Sequence, residues 1–278
     1  MKRIILLLIV SIAIGQSAWA GFPIGTGRWM LIPGYNYYNA NGYWNKNSAY
    51  SAYPSGNFSS HYFGLSGGYG LNRKWDFLFN VPFVVQVDNN TSGKNNTYIA
   101  AGLGDAKAGL SYFFTDLDAL NHVSLTGSLI IPLYSNRGTP WPNIGYGVLG
   151  GEIKLGFSGS ATGGFRNPYY DIELGVRQYF ASDGPAQAFI NVTGGVPLDD
   201  NWKLSGTLNY INSVSSTVNS SSQVFYNYNK NFNYSRAGFN VGRVINENFS
   251  LWGGLYADIY GTSVGRGSGL SLSAVIKF

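Results

Sequence analysis

The chain has 278 residues, a formal charge of +5 and no cysteine; 45% of it is hydrophobic, 16% aromatic and only 11% charged. Without cysteine, disulfide stapling, a thiolate metal site and a thiol nucleophile are excluded; without a lysine or arginine run, the small positive excess gives no case for nucleic acid as a partner. Charged residues fall far below the roughly 25% of ordinary soluble domains, and abundant Tyr, Phe and Gly beside so few charges point to lipid as part of the solvent.

The N-terminal stretch reads as an export leader. Lys2-Arg3 precedes an apolar run from Ile4 to Ile14, and Ala18-Trp19-Ala20 supplies a small-x-small cleavage pattern. The apolar run is too short to span a bilayer as a helix, so the expected mature chain is residues 21–278, beginning at Gly21, and losing Lys2 and Arg3 lowers the charge to +3. Nothing after residue 20 offers a spanning helix. The remaining way to cross is a closed sheet, because an open edge in hydrocarbon leaves backbone groups unpaired at several kcal/mol apiece.

Period-two alternation then recurs along the chain. A first strand over Arg28–Tyr38 is apolar on both faces, and Asn39–Ser60, rich in Asn, Ser, Tyr and Gly, is expected as a long exposed loop. Tyr62–Leu71 turns Phe63, Leu65, Tyr69 and Leu71 one way, and Asn72-Arg73-Lys74 returns the chain into a strand with Phe77, Phe79, Val81, Phe83, Val85 and Val87 on one face. After an expected loop from Asp88 to Ala101, a strand over Gly102–Phe114 sets Ala106, Ala108, Leu110 and Tyr112 against Asp105, Lys107 and Ser111. A turn over Thr115–Asn121, a strand from Val123 to Leu133, a loop over Ser135–Tyr146 and a strand over Gly151–Ser160 follow. Beyond the Ala161–Asn167 turn, Tyr170, Ile172, Leu174 and Val176 oppose Asp171, Glu173 and Arg177. The Ala181–Pro185 connection then leads to Ala188, Ile190 and Val192, and Asp199-Asp200-Asn201 to Trp202, Leu204, Leu208 and Tyr210. A Ser/Asn loop from Ser213 to Asn229 precedes a strand with Tyr234, Arg236 and Asn240 on its polar face. Asn246-Glu247-Asn248, a strand over Phe249–Ile259, a Gly-rich connection over Gly261–Gly269 and a last strand ending on Phe278 complete the chain.

The count is twelve, and the long connections follow odd-numbered strands. That asymmetry predicts an all-β, transmembrane, antiparallel up-and-down β-barrel in a bacterial outer membrane, with both termini in the periplasm. Twelve strands about 4.8 Å apart, tilted near 40°, close on a backbone diameter of roughly 24 Å and leave about 10–14 Å after side chains. Trp29, Trp75, Trp202, Phe114, Phe249 and Phe278 fall at periplasmic strand ends, where rings favour the interface. The strand ending in Phe278 is the expected contact for the barrel-assembly machinery.

Parity assigns ten charged residues to the water-filled face: Asp105, Lys107, Glu152, Lys154, Asp171, Glu173, Arg177, Lys203, Arg236 and Asp258. Both signs occur, so a paired network that sets pore polarity is expected, with Arg236 and Asp258 a couple on adjacent strands. His122-Val123-Ser124 has the spacing of an outer-membrane phospholipase pair, but parity turns both polar residues inward at the periplasmic end and no orienting Asn is identifiable, which argues against a triad. His61 stands alone, so no metal site and no cofactor is expected.

Gly102-Leu103-Gly104-Asp105 with Ala108-Gly109-Leu110-Ser111-Tyr112 behind it, and Gly70-Leu71 followed by Asn80-Val81-Pro82, carry a family resemblance. The chain resembles the bacterial outer-membrane proteins grouped as transporters of the meta-pathway of phenol degradation, over the whole mature length. That resemblance implies an outer-membrane barrel for uptake of hydrophobic or aromatic compounds, with no defined substrate site; the Asn/Tyr-rich loops depart from the pattern and leave the ligand open. No helix follows the G-x-G-D run, so it is no phosphate loop. Its glycines are expected to relieve crowding or form a bulge near the rim, with Asp105 facing the lumen. The expected function is passive passage of small, hydrophobic or aromatic molecules, with outer-membrane lipid and the solute as partners. The alternatives are an adhesive surface barrel acting through Asn39–Ser60 and Ser213–Asn229, and, remotely, a lipase.

Overall fold

The structure is a computed structural model that describes residues 21–90, 93, 96–116, 119–135, 142–161, 167–216 and 230–278. The leader read at residues 1–20 lies outside the described residues. Backbone pairing organises the chain into fourteen segments: β1 (Trp29–Trp44), β2 (Tyr50–Ala52), β3 (Asn57–Gly70), β4 (Trp75–Asn89), β5 (Thr97–Leu103), β6 (Asp105–Phe113), β7 (Asn121–Pro132), β8 (Gly150–Ser160), β9 (Tyr169–Tyr179), β10 (Ala186–Pro197), β11 (Trp202–Val214), β12 (Phe232–Asn246), β13 (Phe249–Thr262) and β14 (Val264–Lys277). Each main strand pairs antiparallel with its sequence neighbours, and β14 returns to pair with β1 from Met30↔Lys277 to Trp44↔Val264. β2 is a flap on the end of β1, and β5 and β6 pair end to end along β4 as one interrupted stave, so twelve staves close the sheet.

Closure leaves no main edge unpaired, as hydrocarbon demands. The faces are inverted relative to a soluble protein. Phe63, Leu65, Phe83, Leu110, Leu129, Ile153, Val176, Phe239 and Leu255 are exposed on the outside, while Ser66, Asp76, Ser111, Thr126, Glu152, Asp171, Asn240, Asp258 and Ser271 are buried within. The first strand's ambiguous faces resolve through its neighbour. Pro33 and Tyr35 pair with Leu65 and Phe63 and so share their outward face, and Ile32 is buried on the other.

Three expected loops are corrected. Asn39–Ser60 is mostly sheet: β1 runs on to Trp44, β2 folds back on it, and β3 starts at Asn57. Asp88–Ala101 shortens because β4 extends to Asn89 and β5 begins at Thr97. Gly261–Gly269 is not a connection at all, since β13 and β14 meet around Ser263, whose φ of 54° makes the reversal. Near the second of these turns Gly56 sits at φ 66°, and a Cβ there would lie 1.6 Å from the Asn89 carbonyl oxygen, so only glycine fits. The common cause is that strands of 14 to 16 residues outrun the roughly 9–11 needed to cross a bilayer. Beyond the lipid both faces are wet, and alternation stops while pairing continues.

The G-x-G-D run is a bulge, but mid-strand rather than near the rim. Phe83 pairs with Leu103 and Asn80 with Lys107, so β4 advances three residues while the opposite chain advances four. The extra residue sits across from Pro82, which lacks a donor; the Pro82 carbonyl accepts from Gly104 N at 2.8 Å. The Ala161–Asn167 and Ser213–Asn229 connections fall largely on residues 162–166 and 217–229, outside the described residues; β11 extends to Val214.

Candidate functional site: the barrel interior

Alternation on β6 to β11 delivers a belt of charged and amide side chains to one inner wall. Glu152 on β8 accepts from Lys107 Nζ at 2.8 Å and from Arg177 Nε at 2.7 Å and Nη2 at 2.6 Å, reaching one stave away on one side and across β7 on the other. Lys154 pairs with Glu173 one row further toward the end of β8 at Ser160. The row continues as Asn191 donates to Glu173 at 3.0 Å and Asn209 to Asn191 at 3.0 Å. Arg177 Nη1 also donates to Gln187 Oε1 at 3.0 Å. With Glu152 only 8% exposed, this wall is a fixed ladder of charge-assisted bonds rather than a set of freely solvated charges.

The opposite wall carries the other pair. Arg236 Nε donates to Asp258 Oδ1 at 2.7 Å, and Tyr38 Oη donates to Asp258 Oδ2 at 2.8 Å. Three tyrosine rings surround the guanidinium, with Tyr38, Tyr234 and Tyr256 centroids 5.3, 5.4 and 4.5 Å from its Cζ. The remaining expected residues bond outside these pairs, although Asp105 lies in the field of Arg177 and Lys107 and Asp171 in that of Glu173 and Lys154. Asp105 accepts from Tyr134 Oη at 2.9 Å, Asp171 from the backbone N of Gly21 at 3.0 Å, and Lys203 lines the cavity beside Phe278, near Lys277, without an ion pair among the described residues.

Two interior features carry no periodic signal. The segment ahead of β1 lies inside the barrel opening beside Phe278: Gly21 reaches Asp171 on β9, Ile24 N donates to Asp76 on β4 at 2.8 Å, Phe22 packs edge-on to His122 at 5.5 Å, and Thr26 bridges to Gly70. At the other end the β7–β8 connection turns inward. Ile144 lies against Gly102 and Gly104, and Tyr146 packs on Tyr179 at 4.5 Å and accepts from Gln187 Nε2 at 3.2 Å. Burial pushes the Tyr134 and Tyr146 phenols up, so both stay neutral hydrogen-bonding groups. These inserts leave a cavity of about 870 Å³ at the end that holds Phe278, lined by Phe22, Met30, Lys203, Asn240, Trp252 and Lys277, and a second chamber of about 280 Å³ toward the opposite end, beside Arg236.

His122 and Ser124 are both buried, His122 beside Phe22 of the segment ahead of β1. His122 Nδ1 meets Thr115 Oγ1 at 3.3 Å, and no hydrogen bond joins it to Ser124 among the described residues. His61 pairs through Nδ1 with Tyr35 Oη at 2.9 Å on the outer face. Of the expected aromatic girdle, Trp29, Trp75, Trp202, Phe114 and Phe278 are exposed and Phe249 is half-buried.

No protein-family model and no curated protein matches the sequence. Solved structures do match in fold. The COG4313 outer membrane channel from Pseudomonas putida F1 superimposes with a TM-score of 0.73 at 13% identity, covering 95% of this chain and 100% of that one. The NanC porin gives 0.52 at 8% identity over 90% and 100%, and the translocator domain of the autotransporter NalP from Neisseria meningitidis gives 0.51 at 10% identity over 91% and 89%. At these identities the likeness concerns the fold, which is that of outer-membrane barrels.

Proposed function

We propose that the chain is an outer-membrane channel through which small molecules, aromatic or otherwise apolar ones among them, pass by diffusion, with both termini in the periplasm. The observation that carries this reading is the inversion of faces: a closed sheet, oily outside, encloses a polar, ion-paired interior with a cavity toward each end. Both termini lie at the end with the short connections, and Trp29 and Phe278 pair there through two backbone hydrogen bonds. The fold shared with a channel from Pseudomonas putida F1 supports the transport class, and the short glycine motifs support a kinship with transporters of the phenol meta-pathway. The fixed charges of the inner wall set the polarity of the path.

Neither alternative has a comparable observation behind it. His122 and Ser124 lack a hydrogen bond to each other among the described residues, and Asn39–Ser60, one of the two segments assigned to adhesion, is mostly sheet. The C-terminal strand, whose edge is taken by β1 after closure, is the segment offered to the assembly machinery beforehand. Liposome swelling with sugars, nucleosides and aromatic acids tests the channel reading: entry of small solutes over empty liposomes supports it, and swelling indistinguishable from empty liposomes for every solute refutes it.

A further inference from the structure

The second chamber holds a cation that uses one of its five N–H donors among the described residues. Arg236 spends Nε on Asp258, and neither Nη1 nor Nη2 makes a hydrogen bond among the described residues, although the side chain is only 19% exposed. Its partner is saturated: the Asp258 carboxylate receives Arg236 Nε, Tyr38 Oη and Gly267 N. A buried guanidinium with its fork unfilled is costly unless something planar and acceptor-rich completes it. The chamber of about 280 Å³ is walled by Tyr38, Phe58, Tyr146, Phe232 and Tyr234. Several of those rings are held in place by one another, Phe232 stacked on Tyr234 at 6.2 Å and Tyr38 edge-on to Phe58 at 6.4 Å. This volume falls just under the roughly 300–1,000 Å³ of sites for drug-sized ligands, which suits a single ring.

We propose that this chamber is a binding subsite for a small aromatic carboxylate, whose ring lies among the tyrosine and phenylalanine walls and whose carboxylate closes the Arg236 fork through Nη1 and Nη2. The ion pair with Asp258 then orients the guanidinium and survives binding. An aliphatic acid of the same size keeps the fork contact but loses ring-on-ring packing, and a neutral arene keeps the packing but leaves the fork unfilled. The subsite rests on the channel reading, since it lies on the interior face between the mouth and the charged belt.

Calorimetric titration of the purified, folded chain in detergent with benzoate, cyclohexanecarboxylate and toluene tests it. The expected result is saturable benzoate binding, weaker binding of cyclohexanecarboxylate, none of toluene, and a loss of about tenfold or more in benzoate affinity in Tyr234→Leu, which leaves the ion pair intact. Arg236→Lys, which keeps the charge but not the fork, loses benzoate as well. Absence of benzoate binding to the parent, or equal affinity in the parent and Tyr234→Leu, overturns the proposal. Swelling of liposomes carrying the same preparation separates the two readings: swelling with a small sugar but no benzoate binding removes the subsite and keeps the channel, whereas benzoate binding without any swelling removes the channel and keeps the subsite.

Discussion

Glu152 is the single carboxylate on which two interior cations converge, Lys107 from one side and Arg177 from the other. Glu152→Gln removes the charge without the bulk and leaves both cations facing each other across a partly dry wall. Breaking a buried pair costs about 3–5 kcal/mol, and because Lys107 is about a third exposed the expected loss is about 2–3 kcal/mol, read as a lower urea midpoint for the folded barrel in detergent. The same change adds net positive charge to the path, so reversal potentials across a salt gradient shift toward anion preference; an unchanged midpoint and an unchanged potential contradict the network. At the outer surface Asp183 and Lys230 form a second type of pair, 2.5 Å apart, which ties the β9–β10 turn to the chain entering β12. The Lys230 ammonium holds the Asp183 carboxyl below the usual carboxylate range. A depressed folded pKa means the tie is fully present above the ordinary carboxylate value of about 4 and is lost as pH falls through the folded pKa. Hydrogen exchange at the amides flanking Lys230, corrected for intrinsic rates, is expected to be faster in Asp183→Asn than in the parent at neutral pH, with the difference vanishing in strong acid.

Strands reveal themselves where two solvents compete for them. Along the lipid-crossing part of β3, β4, β7 and β9 the outward side chains are apolar and most inward ones polar or small, with Leu78, Val84 and Ile130 the large apolar exceptions inside, so a period of two is visible in the residues alone. The outer ends of β1, β3, β13 and β14 hide because Asn, Ser, Tyr and Gly suit water on both faces, and only cross-strand pairing keeps them extended. The ten charged positions follow from the same parity, and so does the Arg236–Asp258 contact across adjacent strands. What parity cannot place is an insert. Gly21–Gly27 and Ile144–Tyr146 occupy the interior through contacts with strands far away in sequence, and Tyr38 joins Tyr234 and Tyr256 around Arg236 only through the seam between β1 and β14. Phe22-Pro23-Ile24, apolar yet outside any alternation, is the one visible hint. Since Asp76 on β4 and Asp171 on β9 anchor that segment across the barrel opening, removing residues 21–27 behind an intact leader is expected to raise single-channel conductance. Equal conductance in the truncated and full chains would falsify an obstructing role.

At the scale of the whole molecule, stability and function draw on one arrangement. A sheet of twelve staves with β14 sealed to β1 hides every backbone group from hydrocarbon, and the same closure encloses the polar side chains that water and solute would meet. The open interior is narrower than twelve strands alone imply, because the N-terminal segment and the β7–β8 connection both enter it. On the proposed channel reading small solutes are then favoured over a general-porin range, and single-channel events of low amplitude are expected. The most direct measurement is the current across a planar lipid bilayer after adding the purified, folded chain under an applied voltage. Discrete, uniform, small conductance steps are predicted; a bilayer that stays silent while the chain is shown to have inserted contradicts the account.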